Sequence, residues 1–296
     1  MGRDSPVTRF CEEKDSRHGC LNLGTGRLGQ EGMIIMSRPS ACWRVALVGV
    51  LLVSFLRADE TDPNPLIQAA QAYRQGDWDQ VLRHLDPLLQ ESPTSETGTL
   101  AREYASAALH RRGEDHFRAG RIQESVADFD REIELHPASD PGHWQRGISY
   151  YYAGLYEKGA RQFERHQKVN PEDVENAVWH FLCRVRSPGG SVDLAREALI
   201  PIRDDERVPM KEIYNLFAGR ATIEQVEQAA QGKGPSATFY AQLYIGLYLE
   251  AIGKEKESLE YITRAAGEPR TRANYMADVA RVHQLLREAP PKTVPR

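Results

Sequence analysis

The chain has 296 residues, of which 27% are charged and 8% aromatic, with a formal net charge of −4. That slightly acidic balance argues against nucleic acid as the main partner, which would select a basic footprint. Sparse aromatics among plentiful charge fit a helical protein with a distributed core.

The first 58 residues read differently from the rest. Residues 1–32 hold Cys11, Cys20 and several glycines with no helical or strand period, and are expected to be an over-extended or disordered N-terminus. Met33 and Met36 stand where a signal peptide would begin. Arg38 and Arg44 then precede the apolar run VALVGVLLVSFL from Val45 to Leu56. It is short for a membrane span and has the charge and length of a secretory h-region. Residues 33–58 are therefore expected to be a signal peptide cut before Asp59, or an uncleaved anchor giving membrane attachment through 45–56. Cys11, Cys20 and Cys42 fall in this leader, so Cys183 is left alone and the mature domain is expected to lack a disulfide.

From residue 59 the pattern is helical, and residues 59–287 form the expected repeat domain. A first unit at 62–95 carries Tyr73, Gly76, Trp78, Leu85 and Pro93. Ten residues, SETGTLAREY, are inserted after it, beginning with turn formers and ending as an extension of the next helix. Gly113, Gly120, Phe129 and Pro137 then recur 34 residues later as Gly147, Gly154, Phe163 and Pro171. A 34-residue period is that of stacked helix pairs. The first glycine of each set lets the second helix approach, and the next ends the first helix. The phenylalanine fills the space between helices, and the proline stops the second one. Ser125 and Glu132 stand at positions of this unit where the repeat family that the chain resembles, named below, usually carries small alanines.

The stretch 174–238 departs from the pattern. VENAVWHFLCRVR reads as a first helix, Ser-Pro-Gly-Gly at 187–190 breaks it, and SVDLAREALIPI reads as a second. KEIYNLFAG ends at Gly219, and Thr222-x-x-Gln225 opens another helix as a capping box. A late unit at 239–272 has Tyr244, Gly246, Gly253, Tyr261 and the pair Ala265 and Ala266. A capping helix from about Thr271 to Arg287 follows, and 288–296 is an expected disordered tail. No strand pattern of useful length occurs, so the expected fold is an all-α solenoid.

These features resemble the tetratricopeptide repeat (TPR), most strongly in DPGHWQRGISYYYAGLYEKGARQFERHQKVNPED at 140–173. In such arrays the first helices line the concave wall. Aligning the units places Tyr73, Phe117 and Tyr151 at one inner position, and Leu66, His110 and Trp144 one turn earlier. With Arg74, Arg111, Arg118 and Tyr152 they form a candidate peptide groove. Its aromatics would supply contact area and its arginines would bind carboxylates; packing between helices is the competing role for the aromatics. The lysine and asparagine clamp with which some TPRs grip acidic C-termini is replaced here by Leu66, Ala70, His110 and Arg111, so that specificity is not expected.

His180-x-x-Cys183, joined by His166, is an alternative zinc or enzymatic centre; packing of His180 and Cys183 in a core face competes with it. His136 and His143, at unit junctions, are expected to face solvent. Glu172-Asp173 and Asp204-Asp205-Glu206 read as helix N-terminal charges or turns. Phosphate loops, nucleophile elbows and dinucleotide fingerprints are absent from the sequence. Neither a catalytic constellation nor a cofactor is expected.

The order of parts is similar to that of bacterial NlpI-type TPR lipoproteins. The residues carrying this are RGISYYYAGLYEKGARQF at 146–163, ENAVWHFL at 175–182, IYNLFAGRATIEQV at 213–226 and FYAQLYIGLYLEAIGKEKESLEYITRAA at 239–266. The resemblance implies a periplasmic adaptor that docks other proteins, among them enzymes of cell-wall turnover and proteolysis, and it implies homodimerisation. The chain lacks that family's lipidated cysteine after the signal. The expected function is a non-enzymatic, exported scaffold for protein or peptide partners, with a structural homo-oligomerising subunit as a further alternative.

Overall fold

The computed structural model describes residues 64–91, 94–268 and 274–288. The expected leader, its cleavage or anchoring, and residues 289–296 of the tail lie outside the described residues. The described residues contain helices and no strand, so the chain is an all-α protein of consecutively packed helix pairs. No described helix is long and apolar enough to cross a membrane.

Two compact units divide the chain, residues 1–108 and 109–296. The first contains α1 (Pro65–Gln75), α2 (Trp78–Glu91) and the start of α3 (Glu96–Arg118). Asn64 caps α1 by accepting the Leu66 amide at 3.0 Å, and Pro65 occupies a first-turn position where its missing N–H costs nothing. Ala69 and Leu85, both fully buried, sit where the later units use Gly and Phe. The expected insertion is helical from Glu96 onward, which makes α3 a 23-residue helix.

The second unit continues with α4 (Ile122–Leu135), a 3-10 turn (Pro137–Gly142), α5 (Trp144–Tyr152) and α6 (Tyr156–His166). Here the 34-residue period has a direct physical cause. A methyl group added at Gly113 would lie 2.6 Å from the Phe129 ring, and one at Gly147 would lie 2.7 Å from Phe163. Gly246 meets Ile262 in the same way at 2.8 Å. Each glycine thus accepts the bulky residue of the partner helix sixteen positions later. Gly120 and Gly154 follow their helices with φ of +72° and +76°, a left-handed conformation that a side chain would strain.

α7 (Val174–Arg186), α8 (Val192–Glu197), α9 (Met210–Phe217) and α10 (Ile223–Ala230) build the irregular middle. The expected capping box at Thr222 and Gln225 is present in both directions. Gly219 turns with φ +74° and precedes Gly253, φ +82°, by the same 34 residues, so α9 and α10 keep the repeat register. α8 is shorter than expected, because the helix stops at Glu197 and 198–209 run without regular structure. That run is tied down by charge. Arg207 reaches Asp173, Glu175 and Asp205, each at 2.6 Å, while Glu172 accepts the Arg203 amide at 2.8 Å. Burial opposes the Arg207 charge, but the bond to Asp205 and the carboxylates around it prevail and raise its pKa.

α11 (Pro235–Ala251) and α12 (Glu255–Ala266) form the late pair, and α13 (Tyr275–Glu288) packs on α12. α11 buries side chains on all sides, from Ala237 to Glu250, as a helix at the centre of a core must.

Candidate functional site

α3 and α5 present the inner residues of the second unit toward α13. The Phe117 ring stacks on Tyr275 with centroids 5.3 Å apart, and Trp144 meets the same tyrosine edge-on at 5.1 Å. One turn along α13, Asp278 accepts from Arg118 Nε at 3.1 Å. Further on, the Tyr152 hydroxyl lies 3.0 Å from His283 Nδ1, and His283 Nε2 lies 2.6 Å from Glu250 of α11. Arg186 and Arg287 approach the same carboxylate at 2.5 and 2.8 Å. Of the residues expected in the groove, Phe117, Arg118, Trp144 and Tyr152 meet at one place, and the last described helix covers them.

This arrangement corrects the groove residue by residue. Phe117 and Tyr151 are 0% and 4% exposed, so neither lines an open ledge. Tyr151 packs edge-on against Trp179 at 5.4 Å, which is the helix-packing role. Trp144 and Tyr152 do face inward but touch α13. Tyr73, in the first unit, packs edge-on against Trp78 and Tyr104 at 5.2 and 6.1 Å. Arg74 is exposed at the end of α1.

The expected cationic character is also cancelled from within. Arg111 pairs with Glu114 at 3.1 Å, and Arg118 holds Asp115 and Asp278. His110 Nδ1 lies 3.0 Å from Glu132, and its Nε2 lies 3.5 Å from Glu114. Burial works against a charge on His110, but the two carboxylates outweigh it and push its pKa up to about 9. The charged imidazole is thus already spent on two acids, one of them the Glu132 that replaces the usual alanine. Ser125, the other departure, bonds to Ser149 at 2.9 Å across the α4–α5 contact.

His143 was expected at the surface and is instead 4% exposed. Its Nδ1 accepts the Arg146 amide at 3.2 Å and caps α5, while Nε2 lies 2.8 Å from Glu132. With His110 and Glu132 it makes a three-ligand group whose atoms lie within 4.8 Å of one another. The capping bond decides against a metal there. A ring nitrogen that accepts an amide proton leaves the imidazole proton on Nε2, which donates to Glu132 and has no lone pair for a cation. Burial holds the His143 pKa down and keeps this neutral form.

The alternative centre at His166, His180 and Cys183 does not assemble. His166 Nδ1 donates to the Pro141 carbonyl at 3.0 Å, and His180 Nε2 faces Glu164 at 3.4 Å. The Cys183 sulfur packs where α6 passes closest, 2.7 Å from a methyl built on Gly159. Burial pushes that thiol up, away from nucleophilic character. The acidic pairs behave as read: Asp173 caps α7 through the Glu175 amide at 3.1 Å.

Sequence reasoning missed Tyr275, Asp278, His283 and Glu250. Glu250 carried a usable signal, since it is the lone charge in the apolar stretch FYAQLYIGLYLEAIG and an isolated charge in such a helix needs a partner. The α13 residues carried none, because their partners Arg118 and Tyr152 lie 160 and 131 residues away in sequence.

No protein-family model matches the chain. Among curated proteins it is similar to the Protein SGT1 homolog of Bos taurus, 24% identical over 120 residues, which cover 37% of this chain and 34% of that protein. The chain thus spans about a third of the length of that relative.

Proposed function

We propose that the protein is a non-enzymatic scaffold that binds protein partners through its stacked helix pairs, and that it works outside the cytoplasm. The observation that carries this reading is the inner face of the second unit, which already holds a helix by aromatic stacking, an arginine–carboxylate pair and a buried hydrogen-bond relay. Those are the contacts of a helix seated in a groove. The internal saturation of His110, Glu132 and His143, and the separation of His166, His180 and Cys183, support a binding role over a catalytic or metal-dependent one. Export rests on the leader-like residues 33–58, and an NlpI-type adaptor on the order of repeats, irregular middle and late unit.

Crosslinking of the native protein in intact cells tests the scaffold. A saturable partner at fixed stoichiometry is expected, whereas recovery of the chain with no partner at any crosslinker length would overturn the reading. N-terminal sequencing of the same material tests export. Asp59 is the expected first residue, and a start at Met1 in a cytosolic fraction would remove that half of the proposal.

A further inference from the structure

We propose that His143 is an acid-sensitive latch at the joint between the pairs α3–α4 and α5–α6. Taking up a proton turns its Nδ1 from acceptor to donor, which uncaps α5 and loosens the helix turn that begins at Trp144. In the neutral ring Nδ1 accepts the Arg146 amide at 3.2 Å and so closes the N-terminus of α5. A protonated imidazole carries hydrogen on both nitrogens, so no rotation of the ring gives that amide an acceptor. Four other helices are capped by oxygen, from Asn64, Asp173, Ser191 and Thr222, the ordinary residue types for the task. α5 depends on an imidazole instead.

What the turn carries makes the cap consequential. Trp144, its first residue, meets Tyr275 of α13 edge-on at 5.1 Å. Arg146, its third, holds Asp140 of the preceding 3-10 turn and Gln162 of α6, the latter at 3.1 Å. That short turn, Pro137–Gly142, joins α4 to α5. The cap and the Arg146 clasp therefore secure the same joint, and both belong to the first turn of α5.

The charges around His143 set the direction of the response. Glu132 of α4 lies 2.8 Å from Nε2, and the His110 ring of α3 stands 5.3 Å away between centroids. Glu114 of α3 approaches His110, Asp130 of α4 and Asp140 approach Arg146, and Arg165 of α6 approaches Asp140. Burial holds the His143 pKa down; Glu132 opposes this, while His110 and Arg146 add to it. With the folded value depressed, the cap is complete above about pH 6.5 and is lost as pH falls through that folded value. Neither neighbour switches in this window. Burial opposes a charge on His110, but Glu114 and Glu132 raise its pKa to about 9, so it is already charged. Burial also opposes a charge on Glu132, but its bonds with His110 and His143 hold it at about 2.

The test follows amide hydrogen exchange in the full chain at about pH 7 and about pH 4.5, on either side of the ordinary histidine value. Rates are corrected for intrinsic exchange and referred to the α11 amides, which report general acid unfolding. The Arg146 amide of the parent is expected to lose at least about fivefold in protection on acidification, the effect of a lost helix cap. His143→Asn, which caps without titrating, is expected to keep its protection within about twofold. An equal acid loss in parent and His143→Asn would overturn the proposal, and so would a parent that loses nothing. Should His143→Asn fail to fold, the ring nitrogens of the parent decide the matter, read by NMR with isotopically labelled histidine. Nδ1 of His143 is expected to be bare at neutral pH and to gain its proton as the Arg146 amide loses protection. A proton on Nδ1 at neutral pH, or a titration that leaves that amide protected, would remove the latch.

Discussion

The regular pairs α3 to α6 and the irregular remainder α7 to α13 are both helical, yet they are held together by different kinds of contact. In the regular pairs the decisive contacts are short in sequence and repeat: Gly113 with Phe129, Gly147 with Phe163, Ser125 with Ser149. In the remainder the short contact survives only as Gly246 with Ile262, and long, unrepeated ones join it: Glu175 with Tyr244, Arg186 with Glu250, Asp278 with Arg118. Local contacts specify a repeat, which can be extended or trimmed. Long contacts specify one closed arrangement, and here they close it around a single helix.

The largest test of this contrast is Glu250→Ala. It leaves His283, Arg186 and Arg287 without their common carboxylate, and opening a buried pair of this kind costs about 3 kcal/mol. That is the low end of the usual range, because the two arginines are 35% and 39% exposed and can hydrate. Urea unfolding should show the loss, and hydrogen exchange should place it in α11 to α13 while α3 to α6 stay protected. An equal loss of protection in both regions would erase the distinction.

Gly147→Ala probes the other side. The added methyl meets the Phe163 ring at 2.7 Å, so overpacking is expected to cost about 2 kcal/mol. The combination with Phe163→Leu should recover part of it, because the contact is one pair deep. No recovery would show that the glycine serves something other than that ring.

A double-mutant cycle on Arg118→Ala and Asp278→Ala measures the long contact directly. The coupling expected is under about 1 kcal/mol, since Arg118 is 47% exposed and water screens the pair. A zero coupling would remove this pair from the contacts that hold α13.

Two histidines set against carboxylates, His110 and His283, respond oppositely to pH. His110, in the regular part, has its pKa raised to about 9 by Glu114 and Glu132 against burial, so its stabilising effect is full below about 6.5 and is lost as pH rises through 9. His283 has its pKa lowered by burial despite Glu250, so its unfolded form takes up the proton first and stability falls as pH drops below about 6.5. Melting temperature followed from pH 5 to 9 should therefore peak near about 6.5. His110→Gln should flatten the alkaline limb, and His283→Gln a part of the acid one, which His143 and His180 share. A change on the opposite limb in either variant would break the assignment. The smallest expected effect is that of Tyr275→Phe in the full chain, a loss of under about 1 kcal/mol from deleting a hydroxyl whose partner, Ser149, already bonds to Ser125. A clear gain would mean that the hydroxyl makes no bond to Ser149.

Much of the architecture was legible in advance. The helical class, the turn glycines at 120, 154 and 253, the Thr222–Gln225 box and the late pair follow from rules that act within a few turns of chain. The site was legible only in composition. Phe117, Trp144, Tyr152 and Arg118 all touch α13, whereas Tyr151 packs on Trp179, and the sequence could not separate these, because burial depends on what lies opposite. His143 was misplaced for the same reason: a junction histidine faces solvent unless a neighbouring pair supplies an acid, and Glu132 of α4 does.

By itself, then, the sequence determined the repeating unit, since a missing side chain at Gly147 and a bulky one at Phe163 fit each other wherever the pair is set down. Only the tertiary structure decided what fills the inner face. That choice rests on contacts that bring Tyr275 to Phe117 and His283 to Tyr152, the latter across 131 residues, and no local rule reaches so far.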